Sequence, residues 1–199
     1  MMQDRFVLPP VLLLAVLSWS CVAKAQNPTA VQELQLSAFG GVSGVFTGLS
    51  GGKNFSLTGG ADLALPPFHG LRPTLEVRGT YPTDRGLVVS QKSVLGGLRV
   101  DLLLGHRLHP YGDFLFGRGS MNYGEFGYIY GAYDYQVTTT NVLSPGGGVD
   151  FDLGDRLTFK ADAQYQRWAS APTATGTIFS TVATAGLVYR FNFNSRGNR

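Results

Sequence analysis

The sequence is short of the residues on which enzyme chemistry and disulfide frameworks depend. Its 199 residues include one cysteine and three histidines, and only 15% of the side chains are charged, against about 25% in an ordinary soluble domain. The one cysteine, Cys21, lies in an N-terminal leader, so we expect no disulfide and no thiol chemistry in the remainder. Basic and acidic residues number 16 and 13, a balance that argues against a nucleic-acid partner.

Long apolar runs are also absent, apart from one near the N-terminus. Residues Val7–Leu17 form an apolar stretch that is too short to span a bilayer as a helix. A small-residue site, Ala23-Lys24-Ala25, follows it directly before Gln26. This order predicts a secretory signal peptide over residues 1–25, which would be cleaved.

Alternation of apolar and polar residues is abundant in the rest of the chain. The clearest case is Leu71–Tyr81, where Leu75 and Val77 oppose Glu76 and Arg78. Alternation with a period of two over most of a chain predicts an antiparallel β-sheet. The predicted strands are Glu33–Phe46, Lys53–Leu65, Leu71–Tyr81, Ser93–Leu104, His109–Gly119, Val142–Leu153, Leu157–Trp168 and Thr181–Phe193.

Two irregularities accompany this pattern. Arg118 falls on the apolar face of the fifth segment, so we expect a β-bulge or the end of the strand there. Glycine contributes 27 residues, about twice the usual ~7%, and much of it lies inside the predicted strands. Such glycines indicate a crowded or strongly curved sheet.

The alternation leaves two architectures open, a soluble lipocalin-like barrel with its apolar face inside and a membrane barrel with that face outside. The connections favour the membrane barrel. Every second connection is short, as at Gly154–Arg156, whereas the others include the long stretch Ser120–Asn141. Outer-membrane barrels combine short periplasmic turns with long outer loops in this way. We therefore predict an eight-stranded antiparallel up-and-down transmembrane β-barrel over residues 33–193, preceded by a short segment, 26–32, and followed by a periplasmic tail, 194–199.

The last predicted strand ends in aromatic side chains that share its apolar face. Aromatic rings favour the boundary between lipid and water. This strand must pair with Glu33–Phe46, because an open sheet edge cannot stand in hydrocarbon. The lipid-interface aromatics predicted for the whole barrel are Tyr81, Tyr165, Tyr189, Phe191 and Phe193.

Charges of both signs occupy the polar faces, many of them in the middle of a strand. An Arg or Lys turned towards lipid would cost about 2–4 kcal/mol at the bilayer midplane, whereas in a narrow lumen it can pair with a carboxylate. We therefore predict an inward, mutually paired network. Its members are Arg72, Glu76, Arg78, Arg99, Asp101, Asp150, Asp152, Lys160, Asp162 and Arg190.

Three stretches resemble a known group of proteins: TAGLVYRFNF at the last strand, HPYGDFLFGRG at His109–Gly119 and GGGVDFDLGDRLTFKADAQY at Gly146–Tyr165. They are similar to the small eight-stranded outer-membrane barrels, the group that includes outer membrane protein A and outer membrane protein X. The resemblance implies a monomer in the cell outer membrane, with outer-membrane lipid and the barrel-assembly machinery as partners. Such barrels usually end in an aromatic residue, so either Phe191 or Phe193 would be the assembly signal.

Candidate chemistry is sparse. His106 and His109 would make a weak metal pair with Asp113 nearby, and we interpret them, like His69, as polar turn residues. Lipid A deacylases of this barrel group need a His and a Ser near the outer interface, where this sequence has no histidine. The glycine-rich run Gly44–Asn54 lacks the spacing of a phosphate loop. We therefore predict no catalytic, cofactor-binding or metal site, and no enzyme activity.

The long connection contains the tyrosine-rich stretch Asn122–Tyr135. These tyrosines either contact a surface ligand or belong to the outer aromatic girdle. Because eight strands leave an interior that side chains just fill, we expect a structural or surface-interaction barrel with a filled lumen. The alternatives are a narrow pore or a barrel that transports a small hydrophobic ligand, and, third, a lipid-modifying enzyme.

Overall fold

The chain forms strands where its sequence alternates. The computed structural model describes residues 34–49, 52–83, 90–103, 107–123, 127–169 and 173–191. The long strands are β1 (Gln35–Phe46), β2 (Lys53–Ala64), β3 (Leu71–Pro82), β4 (Ser90–Leu102), β5 (Leu108–Asn122), β8 (Val137–Asp152), β9 (Leu157–Ala169) and β10 (Thr177–Arg190). Two short strands, β6 (Tyr128–Tyr130) and β7 (Tyr133–Tyr135), form a separate hairpin between β5 and β8.

Several predicted features lie outside the described residues. These are the leader 1–25, the segment 26–32, His106, Phe193 and the tail 194–199. Within the described residues, no helix has the length and the apolar character needed to cross a bilayer.

The eight long strands close into an antiparallel barrel in the order β1-β10-β9-β8-β5-β4-β3-β2. The first and last strands pair from Ser37 with Arg190 to Phe46 with Thr181. This closure gives every strand two hydrogen-bonded neighbours, as a sheet in hydrocarbon requires. The predicted fold class, an eight-stranded transmembrane barrel, is confirmed.

The barrel has two distinct ends. The long-loop end carries the connections 47–52, 83–89, 123–136 and 170–176, and the short-turn end carries 65–70, 103–107 and 153–156. Four strands reach further towards the long-loop end than the sequence predicted: β4 and β10 begin earlier, β8 begins at Val137, and β5 continues to Asn122. Polar residues and glycines interrupt the alternation of apolar and polar residues at these strand ends, but the backbone pairing continues.

The irregularity predicted at Arg118 is wrong. Strand β5 passes through this residue without a bulge, and Arg118 pairs with Val94 on one side and Asn141 on the other in an unbroken register. Its side chain is exposed on the outer surface of the barrel. The backbone therefore keeps its ladder of hydrogen bonds, and a single cationic side chain is accepted on the apolar face.

The two faces of the sheet differ in chemistry. Side chains such as Val77, Leu98 and Phe116 are more than half exposed on the outside, while Glu76, Arg78 and Lys160 are almost completely buried inside. A soluble barrel would have the opposite arrangement. The exterior is therefore suited to lipid, and the interior holds the charges.

Glycines allow β1 and β10 to approach closely where the barrel closes. Gly41 lies opposite Gly186 in the register, and a Cβ added to Gly41 would lie 2.3 Å from the carbonyl oxygen of Ala185. The neighbouring Gly40 faces outwards, with no atom within 4 Å of the position of a Cβ. The close contact is thus specific to the inward glycine.

We expect Gly41→Val to destabilise the closed barrel by about 1–3 kcal/mol, the usual cost of overpacking. The amount of folded protein is measured from its faster migration in unboiled detergent gels, and its stability from urea unfolding. Gly40→Val is the matched control, because its side chain would point into open space. Equal stability of the two variants would contradict this account of the seam.

Candidate functional site

Arg78 is the centre of the buried charge network in the lumen. Its Nε donates to Oε1 of Glu76 (2.8 Å), and its Nη1 and Nη2 donate to the two carboxylate oxygens of Asp162 (3.1 and 2.6 Å). Glu76 lies on the same strand, β3, whereas Asp162 lies on β9 across the lumen. This two-point contact joins strands that share no backbone hydrogen bonds.

Arg99 makes a second link across the lumen. Its guanidinium donates from Nε to Asp101 (2.7 Å), and Nη2 contacts both Asp101 on the same strand and Asp150 on β8. The planar group lies over the ring of Tyr111, with Cζ 3.6 Å from the ring centroid. The Tyr111 hydroxyl in turn donates to Asp162 (3.1 Å), so the two arginine clusters are connected.

Lys160 provides the third buried cation. Its Nζ donates to Glu76 (3.3 Å) and lies 3.8 Å from a carboxylate oxygen of Asp62. It also lies 4.0 Å from the centroid of the Phe39 ring, a cation–π arrangement. Three cations therefore share five carboxylates, those of Asp62, Glu76, Asp101, Asp150 and Asp162.

A smaller group lies in the lumen near the short-turn end. Arg190 donates to Asp152 (2.5 Å), which also accepts from Thr158 (2.8 Å) and lies 3.1 Å from Nε2 of His109. Arg72, on the lining of the same opening, forms no ion pair with any described residue, and its buried Nε has no hydrogen-bond partner. Asp152 and Arg190 of this group line a cavity of ≈ 260 Å³ together with Arg99.

The ten residues of the predicted network thus all lie at the lumen. Seven belong to the connected ion pairs of Arg78, Arg99 and Lys160, Asp152 pairs with Arg190, and Arg72 forms no ion pair with a described residue. Asp62, Tyr111 and Phe39 also belong to the network, although the sequence did not lead us to predict them. Asp62 and Tyr111 have the same alternation as the predicted residues, which was the available signal. Phe39 could not be assigned in this way, because an aromatic side chain does not fit the polar pattern of its face. Its role became clear only from its contact with Lys160.

A belt of hydroxyl groups follows above the charges. Ser43 shares hydrogen bonds with Thr58 (2.6 Å) and Thr184 (2.9 Å), and Thr58 shares one with Thr80 (3.0 Å). Nearby, Gln164 donates to the carboxylate of Asp113 (2.8 and 2.9 Å) and accepts from Ser144 (2.8 Å). The polarity of the lumen therefore falls from ions to neutral groups along its axis.

The half of the lumen nearest the long-loop end contains an apolar cluster among buried polar side chains such as Asn54, Gln91 and Gln166. We call this cluster the apolar plug; its buried members are Leu49, Leu95, Leu115, Met121, Tyr123, Val142, Trp168 and Ile178, with Tyr135 packed against them. Trp168 is fully buried, and its Nε1 donates to the Ser180 hydroxyl (2.9 Å). This plug was not predicted, because the charges of the inward face suggested that the face is polar throughout.

Inward glycines make room for the largest of these side chains. A Cβ on Gly119 would lie 2.3 Å from the Trp168 ring, and one on Gly60 would lie 2.6 Å from the Phe39 ring. A Cβ on Gly146 would lie 2.3 Å from the amide of Gln164. Large side chains thus pack where inward glycines leave room for them.

The predicted aromatics that are described lie on the outer surface. Tyr189 and Phe191 meet edge to face near the short-turn end, with ring centroids 5.3 Å apart. Tyr165 stacks on Phe179 at 5.5 Å, and Tyr81 is exposed near the end of β3. The rings occur towards both ends of the barrel, where aromatic side chains favour the two membrane interfaces.

The chemistry available at the lumen is limited. Among the described residues, no group of three or more His, Cys, Asp or Glu is arranged to hold a metal ion. His109 contacts Asp152, and His69 lies in a tight turn with φ 51° at the short-turn end.

Comparison with known proteins supports the same fold. No protein-family model matches the chain, and no curated protein matches it in sequence. Among solved structures, Neisserial surface protein A is similar, with 14% identity, a TM-score of 0.53, and coverage of 80% of this chain and 97% of that one. At this identity the likeness concerns the fold, that of a small outer-membrane β-barrel.

Two further structures have weaker scores. The attachment invasion locus protein Ail of Yersinia pestis has 11% identity and a TM-score of 0.47, over 79% of this chain and 97% of Ail. The outer-membrane enzyme PagL has 14% identity and a TM-score of 0.42, over 80% of this chain and 99% of PagL.

We expect Arg78→Leu to destabilise the barrel by about 3–5 kcal/mol, because Asp162 would remain buried without its cation. Glu76 would keep only its contacts with Lys160 and Arg99. Arg78→Lys should lose less, since it keeps the charge but not the two-point contact. The measurement is the urea midpoint of the refolded barrel. Arg72→Leu is the control, as it removes a cation that has no described carboxylate partner; an equal loss in this variant would show that the network does not hold the barrel together.

Proposed function

We propose that this protein is an integral outer-membrane barrel with a structural or surface-interaction role and a lumen that does not conduct. The observation that carries the proposal is the double filling of the lumen. Ion pairs join opposite walls in one half, and the apolar plug packs among buried polar side chains in the other. A narrow pore would need an open polar path, and the fully buried Leu115, Met121 and Trp168 take up part of the lumen at this end.

The surface-interaction part of the proposal is assigned to the loop between β5 and β8. At its base, the Tyr123 side chain is buried and Tyr135 packs on the apolar plug. Beyond them, the β6–β7 hairpin turns at Gly131, which has φ 64°, and the Ile129 side chain is 75% exposed. An anchored hairpin with an apolar residue in solvent is a suitable contact for a ligand outside the cell.

Processing and assembly complete the proposal. The leader 1–25 would deliver the chain across the inner membrane, and the barrel-assembly machinery would insert it as a monomer. Phe191 is exposed next to Tyr189, and its backbone N donates to the carbonyl of Leu36 (2.9 Å). Either Phe191 or Phe193 would serve as the assembly-signal aromatic.

We propose a non-enzymatic role. The three histidines of the chain are His69, His106 and His109. His69 and His109 lie near the short-turn end, and His106 belongs to the connection at that end. A lipid hydrolase of the His–Ser type would need its histidine at the opposite end, which faces the outer leaflet in our topology.

Planar-bilayer recordings test the filled lumen. We expect no steady unitary current from the purified barrel, because ions would have to cross the apolar plug. The cleaved chain has a single tryptophan, Trp168, so emission shielded from iodide reports that the plug is intact in the same sample. Regular current steps from protein with shielded Trp168 would contradict the proposal and favour the pore.

A peptide tag tests the topology. Inserted at Gly131, where no atom lies within 4 Å of the position that a Cβ would take, the tag should leave the barrel intact and be accessible to antibody on whole cells. A tag at Gly154, in the turn between β8 and β9, is the control and should be labelled only after the outer membrane is permeabilised. Labelling of Gly154 alone on whole cells would reverse the assigned orientation.

A further inference from the structure

Charged residues on the strands of the barrel are sorted by sign between its two faces. The seven carboxylates of the long strands, Asp62, Glu76, Asp101, Asp113, Asp150, Asp152 and Asp162, all face the lumen. Four basic residues on these strands are exposed on the outer surface, and all four lie towards the long-loop end: Lys53, Lys92, Arg118 and Arg167. The outer surface of these strands is therefore positively charged at one end, with no strand carboxylate to balance it.

Two of these cations border a groove on the outside of the barrel. The groove has a volume of ≈ 740 Å³, and Lys92, Arg118 and the hydroxyl residues Ser120 and Thr139 lie along its lining. Lys92 pairs with Ser120, and Arg118 pairs with Val94 one step along the same strands. The two cations are thus diagonal neighbours on adjacent strands, close enough to contact one anionic group between them.

The rest of the groove is apolar, and two glycines without side chains form its base. Gly59 pairs with Gly79, and Gly79 pairs with Val94, so a single row of the sheet runs from the two glycines to Arg118. A Cβ added to Gly79 would have no atom closer than 3.9 Å. Leu57 and Tyr81 are exposed along the groove and form its wall. The shape therefore suits an extended apolar chain leading away from the two cations.

The cations lack internal partners. Neither Lys92 nor Arg118 forms an ion pair with a described residue, whereas Lys53 lies over the ring of Phe46, 5.7 Å from its centroid. A cation on the lipid face of a barrel is costly near the bilayer midplane and much less so near the interface. Contact with a phosphate would offset the remaining cost, because arginine binds phosphate through two parallel hydrogen bonds.

We propose that this groove binds a phosphorylated membrane lipid, with its headgroup phosphate between Lys92 and Arg118 and an acyl chain over Gly59 and Gly79. The inference rests on the proposed function, since it places the long-loop end at the outer leaflet. It goes beyond general contact with the bilayer, because it assigns one lipid class to one face of the barrel.

The test uses native mass spectrometry to measure which lipids the purified protein retains in neutral detergent. The protein is the whole chain after removal of the leader 1–25. Phosphatidic acid is titrated against phosphatidylcholine with the same chains. We expect preferential binding of phosphatidic acid, and a weakening of about tenfold when Lys92→Gln and Arg118→Gln are combined, as two interfacial cations are lost. Inorganic phosphate at equal concentration should not displace the lipid, because it lacks the chain that the groove holds.

Two controls separate the groove from the general charge of the rim. Lys53→Gln combined with Arg167→Gln removes the same charge from the same end but outside the groove, and it should leave the preference unchanged. Gly79→Leu fills the groove without altering charge, and it should weaken binding even if the double glutamine variant fails to fold. Equal losses in both double variants, full binding by Gly79→Leu, or displacement by phosphate would each overturn the assignment.

The experiments distinguish an error in the lipid-binding proposal from an error in the proposed function. A barrel that inserts into bilayers without conducting but shows no lipid preference would overturn only the groove. A chain that does not insert into bilayers would overturn the membrane role itself.

Discussion

The pleat of a closed sheet gives each strand residue one of two surroundings, lipid or lumen, and the charged residues depend on this division. Three buried cations pair with five carboxylates in the half of the lumen nearest the short-turn end. Arg78 reaches from β3 to Asp162 on β9, and Arg99 reaches from β4 to Asp150 on β8. Backbone hydrogen bonds join only neighbouring strands, so these side chains provide the polar connections across the barrel.

The side chains in the lumen change from charged to uncharged along the barrel axis. Ion pairs, hydroxyl groups and the apolar plug follow one another towards the long-loop end. The plug supports Tyr123 and Tyr135 at the base of the β6–β7 hairpin. The proposed function therefore assigns contact with a partner to the loops and the outer surface.

Much of the fold was predictable because alternation reports directly on the pleat. Val77 and Glu76 were assigned to opposite faces, and the structure places them so. The strand ends were less predictable, because near Asn122 and Val137 the pattern weakens while the pairing continues. The wrong prediction at Arg118 has a related reason: a cation on the apolar face looks like a break in the strand, although the interface tolerates it.

The inward residues of the candidate site were partly visible in the sequence. Leu95 has the same alternation as Arg99, and Trp168 the same as Gln164, so their inward direction could have been derived. Their assembly into a plug could not, because the members come from five long strands and two loops. The same holds for the exterior groove, which appears only when Gly59, Gly79 and Arg118 are placed in one row.

The sequence by itself determined which residues of a strand share a side of the sheet, since a period of two is a local property of the strand. Only the tertiary structure decided which inward residues meet. Arg78 and Asp162 are 84 positions apart, and their contact depends on the stagger of all the strands between them around the closed barrel. Local chemistry cannot encode that stagger residue by residue, because it is a geometric condition that the whole ring of strands must satisfy at once.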